Sequence, residues 1–252
     1  MLLPPACFED AGFPAIATTS AGVAWASGYP DGEQISREEM AQAVGRIARG
    51  VMVPVTADME AGYGPGPDAV AATVAAVTAA GAVGMNLEDS TASSDDPLFD
   101  IDLQCKRIRA ARVAADEAGV PIVINARTDV YLRAVGPEAE RFDHALRRAN
   151  AYREAGADCL FIPGVRDPAI IAALARAIRG PINILAGPGT PSVAELEKLG
   201  VARVSVGSGP MRAALALTRK IAHELLERGT YESFTRDVIT HPEANKLMAA
   251  CQ

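Results

Sequence analysis

Acidic side chains recur at the ends of short apolar runs in this chain. Val51-Met52-Val53-Pro54-Val55 leads to Asp58 and Glu60. Ala82-Val83-Gly84-Met85-Asn86-Leu87 leads to Glu88 and Asp89, and the loop after Phe13-Pro14-Ala15-Ile16-Ala17 carries Asp31. Carboxylates gathered in one place resist ionising together unless a cation neutralises them. All the candidate ligands are oxygen and no histidine stands beside them, so the expected ion is Mg²⁺ or Mn²⁺ rather than Zn²⁺. Taken singly, each acid reads as a solvated charge or a helix cap, and Asp89 as half of a salt bridge. Their coincidence carries the metal reading. The next run, Val120-Pro121-Ile122-Val123-Ile124, leads to Asn125-Ala126-Arg127. Arg127 is the expected cation of this site, and its planar fork suits a carboxylate. Thr18-Thr19-Ser20 and Asn183 close or line two further runs.

The elements that position these groups follow one pattern. A helix-like stretch ends at Gly and a short apolar run follows, at Gly12, Gly50, Gly81, Gly119, Gly156, Gly180 and Gly200. Gly supplies the left-handed residue after a helix. Short, non-alternating runs read as parallel strands buried on both faces. Ser36-Arg37-Glu38-Glu39 is a capping box for a helix to about Arg49. Asp68 is expected to cap the helix that runs to Ala80. Further helices are expected over Ile101–Ala118, Pro137–Ala155, Pro168–Ile178, Val193–Leu199 and Met211–Arg228. Seven strands alternate with helices, and Leu2-Leu3-Pro4 is a candidate eighth strand. The expected fold is a single-domain (β/α)₈ barrel over residues 1–252, with an open doubly wound sheet as the alternative. The tail, about 230–252, docks on a neighbour or frays. A barrel carries its site at the C-terminal ends of its strands, where the acids fall.

Composition narrows the function. Charged residues make up 22% and hydrophobic residues 49%, too apolar a balance for a disordered chain. The formal charge of −7 offers nothing to a nucleic-acid backbone. Gly, Pro or charge interrupts every apolar run, so no membrane span is expected. The first residues lack a signal-peptide pattern, and Cys7, Cys105, Cys159 and Cys251 are scattered. Reduced thiols in a cytoplasmic protein are expected.

The motifs resemble a known family. Ala57-Asp58-Met59-Glu60-Ala61-Gly62-Tyr63-Gly64 resembles the Asp-x-Asp/Glu-x-Gly-Tyr/Phe-Gly segment of the isocitrate lyase/phosphoenolpyruvate mutase superfamily. Asn86-Leu87-Glu88-Asp89 and Asn125-Ala126-Arg127-Thr128-Asp129 are similar to its Leu/Ile-Glu-Asp and Ala-Arg-x-Asp/Glu segments. Thr19-Ser20-Ala21-Gly22-Val23-Ala24 and Tyr29-Pro30-Asp31 are similar to its substrate-carboxylate loop and the acid after it. The resemblance runs from about Ala11 to the last helix and points to 2-methylisocitrate lyase-like or oxaloacetate decarboxylase-like members. It implies a barrel, commonly a homotetramer (a dimer is the smaller alternative), with a C-terminal helix exchanged between subunits. It implies Mg²⁺ held directly by Asp58, and by Asp31, Glu60 and Glu88 directly or through water. The substrate it implies is a small 2-oxo or 2-hydroxy acid. Thr19, Ser20 and Ala21 would hold its carboxylate, with Arg127 and Asn183 in support, and Asp58 and Arg127 would carry the catalysis.

The pattern also breaks. The lyases of the superfamily carry a gating loop with Lys-(Lys/Arg)-Cys-Gly-His, whose Cys acts as an acid. Here the loop is Asp89-Ser90-Thr91-Ala92-Ser93-Ser94-Asp95-Asp96-Pro97-Leu98-Phe99-Asp100, without Cys or His. Cys105 reads as a helix-packing residue, and His144, His223 and His241 as structural. The Lys and Asn of phosphonate-forming mutases are missing too. Gly164, in Phe161-Ile162-Pro163-Gly164, stands where lyases often show Glu. The reading is a Mg²⁺-dependent C–C lyase, by oxaloacetate decarboxylation or methylisocitrate-like cleavage. The alternatives are a phosphonomutase or C–P hydrolase, and a non-catalytic 2-oxo acid binder. The glycine turns at Gly187-Pro188-Gly189-Thr190 and Gly207-Ser208-Gly209-Pro210 also admit a phosphate-sugar enzyme, a weaker rival because such turns are mostly loop geometry.

Overall fold

The computed structural model describes residues 5–249. Seven parallel strands lie in sequential order: β1 (Ile16–Ala17), β2 (Val55–Asp58), β3 (Gly84–Glu88), β4 (Val123–Arg127), β5 (Cys159–Phe161), β6 (Ile182–Leu185) and β7 (Arg203–Ser205). Ten α-helices accompany them among the described residues: α1 (Ala6–Asp10), α2 (Ser20–Ala26), α3 (Arg37–Arg49), α4 (Pro67–Ala79), α5 (Ile101–Glu117), α6 (Arg141–Glu154), α7 (Pro168–Ala177), α8 (Val193–Lys198), α9 (Gly209–Arg228) and α10 (His241–Ala249). The architecture is an α/β barrel of the expected kind, nearly closed by seven strands. The candidate eighth strand, Leu2-Leu3-Pro4, lies outside the described residues, and among those described no ladder joins β7 to β1.

Register decides what faces inward. One row pairs Asp58, Asn86, Asn125 and Cys159 across β2 to β5. A second pairs Glu88, Arg127, Phe161, Asn183 and Arg203 across β3 to β7. Side chains alternate along a strand, so residues next to these rows on β3 and β4 face the helices. They are Met85, Leu87, Ile124 and Ala126, all buried, and they join a core with Val70, Val74 and Val77 of α4 and Ile108, Ala111 and Ala115 of α5. Burying each larger side chain there contributes about 1.5–3 kcal/mol. The polar residues of β3 and β4 are thereby fixed toward the barrel interior.

Several local expectations need correction. α3 opens on the expected Ser36 capping box. α4 instead starts on Gly66, with Pro67 at its first position, so Asp68 is not its cap; Pro at that position is pre-set for helix and gives up no useful N–H. The stretch from Pro137 begins with a 3₁₀ turn, Glu138–Glu140, before α6. α9 starts two residues early, at Gly209. α1 is the helix-like stretch expected before Gly12, whereas α2 and α10 were not expected. The polar tail is ordered into a 3₁₀ turn, Glu232–Phe234, and α10 near α1. The Glu224 carboxylate anchors that turn, accepting from the Thr230 hydroxyl and the N–H groups of Glu232 and Ser233.

Candidate active site

Asp58 is the last residue of β2, and three neighbours orient it. Its Oδ2 accepts from both the N–H and the hydroxyl of Ser20, at 3.0 and 2.9 Å. Its Oδ1 accepts from Asn86 Nδ2 at 3.2 Å, and Asn86 Oδ1 in turn accepts from Asn125 at 2.7 Å. The Thr18 hydroxyl accepts from the Asp58 N–H at 2.8 Å. This chain of side chains runs along the first inward row.

Glu60 follows in the loop after β2, with φ 52° in the left-handed region that a non-glycine residue rarely occupies. Its Oε2 accepts from the Glu33 N–H at 2.6 Å, while its Oε1 is buried without a partner. Burial pushes its pKa up to about 7; the Glu33 N–H works against this, and the charges of Asp31, Asp58 and Glu33 add to it. Asp31 is likewise raised, by burial and then by Asp58, with the Gly32 N–H and Arg127 opposing. The acids are therefore close enough to feel one another.

Glu88 ends β3 and Arg127 ends β4, one register step apart. Arg127 Nη1 pairs with Glu88 Oε2 at 2.6 Å. Its Nε and Nη2 pair side-on with Asp129, at 2.6 and 2.8 Å. The fork is thus engaged by the chain's own carboxylate, leaving two of the guanidinium's five N–H bonds for anything else. Burial works against the Arg127 charge, but Glu88 and Asp129 outweigh it and raise its pKa. Burial raises the Glu88 carboxyl against the pull of Arg127.

The remaining predicted residues sort clearly. Thr19 precedes α2, while Ser20 and Ala21 open it. Their segment is a helix start rather than a loop, and the first-turn N–H groups have no intrahelical acceptor. Asn183 is fully buried and exchanges hydrogen bonds with Ser205. Asp89 is half of a salt bridge, as expected of it singly: it pairs with Arg148 at 3.1 Å and accepts from the Tyr152 hydroxyl and the Asp129 N–H. Cys105 packs in α5 with its Sγ 3.5 Å from the Ala151 carbonyl, and burial raises its thiol. Glu33, Asn86, Asn125 and Asp129 were missed as site residues, although three of the four stand inside quoted motifs. Arg203 was missed too. It begins β7 beside Asn183, and burial lowers its pKa against the charges of Cys159 and Asp58.

Gly164 has a physical reason. Its φ is +94°, and a Cβ there would lie 2.8 Å from the Leu132 backbone nitrogen. The position that bears Glu in many lyases has no room for any side chain here.

Among the described residues, no three His, Cys, Asp or Glu side chains converge tightly enough to enclose a metal by themselves. The donors present fit a hard ion differently. Mg²⁺ keeps several waters and takes one or two carboxylates. Asp58 held in place, Glu60 with an orphaned oxygen and acids raised first by burial and then by their neighbours' charges fit that arrangement.

The family model for phosphoenolpyruvate phosphomutase matches residues 5–226. The chain belongs to that family. It is an enzyme of a superfamily of lyases and mutases. Among relatives, the chain is 40% identical over 81% of its length to Rv1998c, a Mycobacterium tuberculosis protein of uncharacterised function, covering 73% of it. It is 31% identical to Escherichia coli 2-methylisocitrate lyase, over 93% of this chain and 80% of that one. It is 30% identical to Pseudomonas fluorescens oxaloacetate decarboxylase 2, over 78% and 67%. Among solved structures, phosphonopyruvate hydrolase in complex with oxalate and Mg²⁺ superposes with a TM-score of 0.85 at 26% identity, over 99% of this chain and 88% of that one. No helix among the described residues is long and apolar enough to cross a membrane.

Proposed function

We propose that this family member is a Mg²⁺-dependent carbon–carbon lyase acting on a small 2-oxo or 2-hydroxy dicarboxylic acid, with oxaloacetate decarboxylation as its leading reaction. One observation carries the metal half of the reading: the buried, unpartnered Glu60 Oε1 among mutually repelling acids beside Asp58. Asp58 would hold the ion directly, and Asp31, Glu60 and Glu88 directly or through water. When bound, Mg²⁺ supplies a Lewis acid that draws off the negative charge developing on the oxo oxygen as the adjacent bond breaks.

The chain's own groups do the rest. Thr19 and Ala21 would present a hydroxyl and a first-turn N–H to a substrate carboxylate, while Ser20, whose N–H and hydroxyl both donate to Asp58, would hold that helix start beside it. Arg127 pairs with Glu88 and holds it in place, and offers its remaining N–H edge. Asn183 and Ser205 complete a polar wall on the far side of the barrel. The loop after Glu88 offers no group able to give up a proton readily near neutral pH, which favours decarboxylation over cleavage of an isocitrate. The likeness to phosphonopyruvate hydrolase keeps a C–P reaction as the second reading.

The direct test is release of CO₂ and pyruvate from oxaloacetate with and without Mg²⁺, beside phosphonopyruvate. Mg²⁺-dependent turnover of oxaloacetate supports the reading; turnover of phosphonopyruvate alone replaces it with the second. Thermal protection by Mg²⁺ plus oxalate without any turnover identifies a binder.

The assembly belongs to the same proposal. α9 exposes Leu215, Leu217, Leu225 and Leu226, and the tail exposes Tyr231 and Phe234. A second copy of the chain would cover them, giving a dimer or tetramer measurable by light scattering. The reaction fits a cytoplasmic enzyme.

A further inference from the structure

The loop that follows β2 is strained in a concentrated way. Glu60 and Tyr63 have φ of 52° and 59°, and Gly62 and Gly64 between and beyond them are also left-handed. Such backbone persists only where its surroundings over-determine it. The Thr73 hydroxyl donates to the Gly62 carbonyl at 2.8 Å and the Glu88 N–H to the Glu60 carbonyl at 3.0 Å, and the charged restraint is Arg107 of α5, a cation with no exposed surface. Its Nη1 donates to the carbonyls of Gly64 and Pro65, at 2.7 and 2.8 Å, and its Nη2 to that of Ala61. Its Nε donates to Gln104 Oε1 at 2.8 Å, and Gln104 Nε2 donates to the Glu88 carbonyl at 3.2 Å. The guanidinium also lies 4.2 Å from the Phe99 ring centroid, where the chain returns from the loop after Glu88.

A buried charge spent on carbonyls is a costly way to fill space, since a well-packed apolar side chain is often as stabilising. What the guanidinium adds is geometry: one rigid group reaches the carbonyls on both sides of the strained turn. Through Gln104 it also reaches the strand end that bears Glu88. We propose that Arg107, with Gln104, is a positioning residue for the metal site, clasping the β2 loop to the end of β3 so that Glu60 and Glu88 are held at a fixed separation.

This rests on the metal reading above. Arg112 provides an internal control. It lies on the same helix and also caps carbonyls, those of Ile122 and Gly156 at 2.9 Å, and pairs with Asp158. Those groups precede β4 and β5, at the opposite end of the barrel from the acids.

The experiment is titration calorimetry of the full chain with Mg²⁺ alone, with melting in EDTA, for wild type, Arg107→Lys, Arg107→Met, Gln104→Leu and Arg112→Lys. The wild-type titration tests the metal reading by itself; no binding there overturns both. Given binding, Arg107→Lys and Gln104→Leu are expected to weaken Mg²⁺ affinity about 10–100-fold, the usual range for residues that orient metal ligands. Arg112→Lys is expected to lower the melting temperature while keeping wild-type affinity. Wild-type affinity in Arg107→Lys and Gln104→Leu overturns the inference, as does an equal loss in Arg112→Lys. Should Arg107→Met fail to fold, the other two variants decide.

Discussion

Ser20 grips Asp58 twice, its N–H and its hydroxyl donating to the same carboxylate oxygen at 3.0 and 2.9 Å. The start of α2 and the end of β2 are thereby locked together, so that under the proposed function a substrate carboxylate at one would sit beside a metal ligand at the other. Asp58→Ala is expected to abolish Mg²⁺-dependent turnover while the fold survives, because removing one of several crowded acids relieves repulsion. Steady-state assays and melting curves check it; full activity in the variant would sink the site.

Arg127→Lys keeps the charge and loses the fork. The ammonium cannot meet Asp129 side-on and Glu88 together, so one buried carboxylate is left short of a partner. The expected outcome is a fall in kcat/KM of about 10²-fold, matching the loss of a charged hydrogen bond worth roughly 1.5–3 kcal/mol, with a stability loss of similar size. A wild-type kcat/KM shows that Arg127 serves neither the substrate nor Glu88.

What was legible in the sequence is what sits at strand ends. Asp58, Glu88 and Arg127 follow runs whose burial on both faces makes them strands, so chain order alone brings them to one mouth. Residues acting from a distance were opaque. Arg107 stands mid-helix among Lys106 and Arg109, and a charge there reads as solvent-facing until the turn of the helix points it at the β2 loop. Asp129 lies two residues past Arg127, close enough to be quoted in a motif, but only the side-on pairing shows that it holds the fork. α2 escaped notice because Thr19 makes no side-chain cap and Gly22 weakens the helix signal.

Gly164→Ala tests the closed position after β5. At φ +94°, with a new Cβ 2.8 Å from the Leu132 nitrogen, the backbone of one segment must move. A loss of about 1–3 kcal/mol in urea unfolding is expected. A loss below half a kcal/mol means that the Leu132 segment gives way freely and that Glu could be accommodated there.

His144 predicts a pH effect through Arg148, the partner of Asp89. Its Nε2 accepts from Arg148 Nε at 2.9 Å, which requires a neutral ring. Burial, then Arg148 and Arg147, hold its pKa below the ordinary value. The unfolded chain takes up the proton near pH ~6.5 and the folded chain only at lower pH, so stability falls as pH drops through that window. The ring is largely solvent-screened, so the effect is a fraction of a kcal/mol, on the order of 1 °C. His144→Gln keeps an acceptor that does not titrate. The difference in melting temperature between wild type and variant should be constant above pH 7 and turn against wild type below 6.5; a flat difference throughout removes His144 from the acid response.

The loop after Glu88 decides between substrates. It folds back on itself, with Ser90 bridging to Leu98 and the Thr91 N–H donating to the Pro97 carbonyl at 2.9 Å. Arg133 donates to the Thr91 and Pro97 carbonyls, and the Ser90 hydroxyl donates to Glu88. This hairpin carries no Cys or His: its polar side chains are hydroxyls and exposed aspartates, and Cys105 is turned toward α6 with its thiol raised by burial. Retro-aldol cleavage of an isocitrate takes a proton off the substrate hydroxyl and puts one onto the departing carbon, and missing general acid catalysis costs about 10²–10⁴-fold. Oxaloacetate asks less, since loss of CO₂ leaves an enolate that water protonates. Oxaloacetate is therefore expected to turn over faster than isocitrate or 2-methylisocitrate at matched Mg²⁺ in parallel steady-state assays. A higher kcat for either isocitrate would mean that an acid outside this loop supplies the proton and that the hairpin is not what sets the reaction.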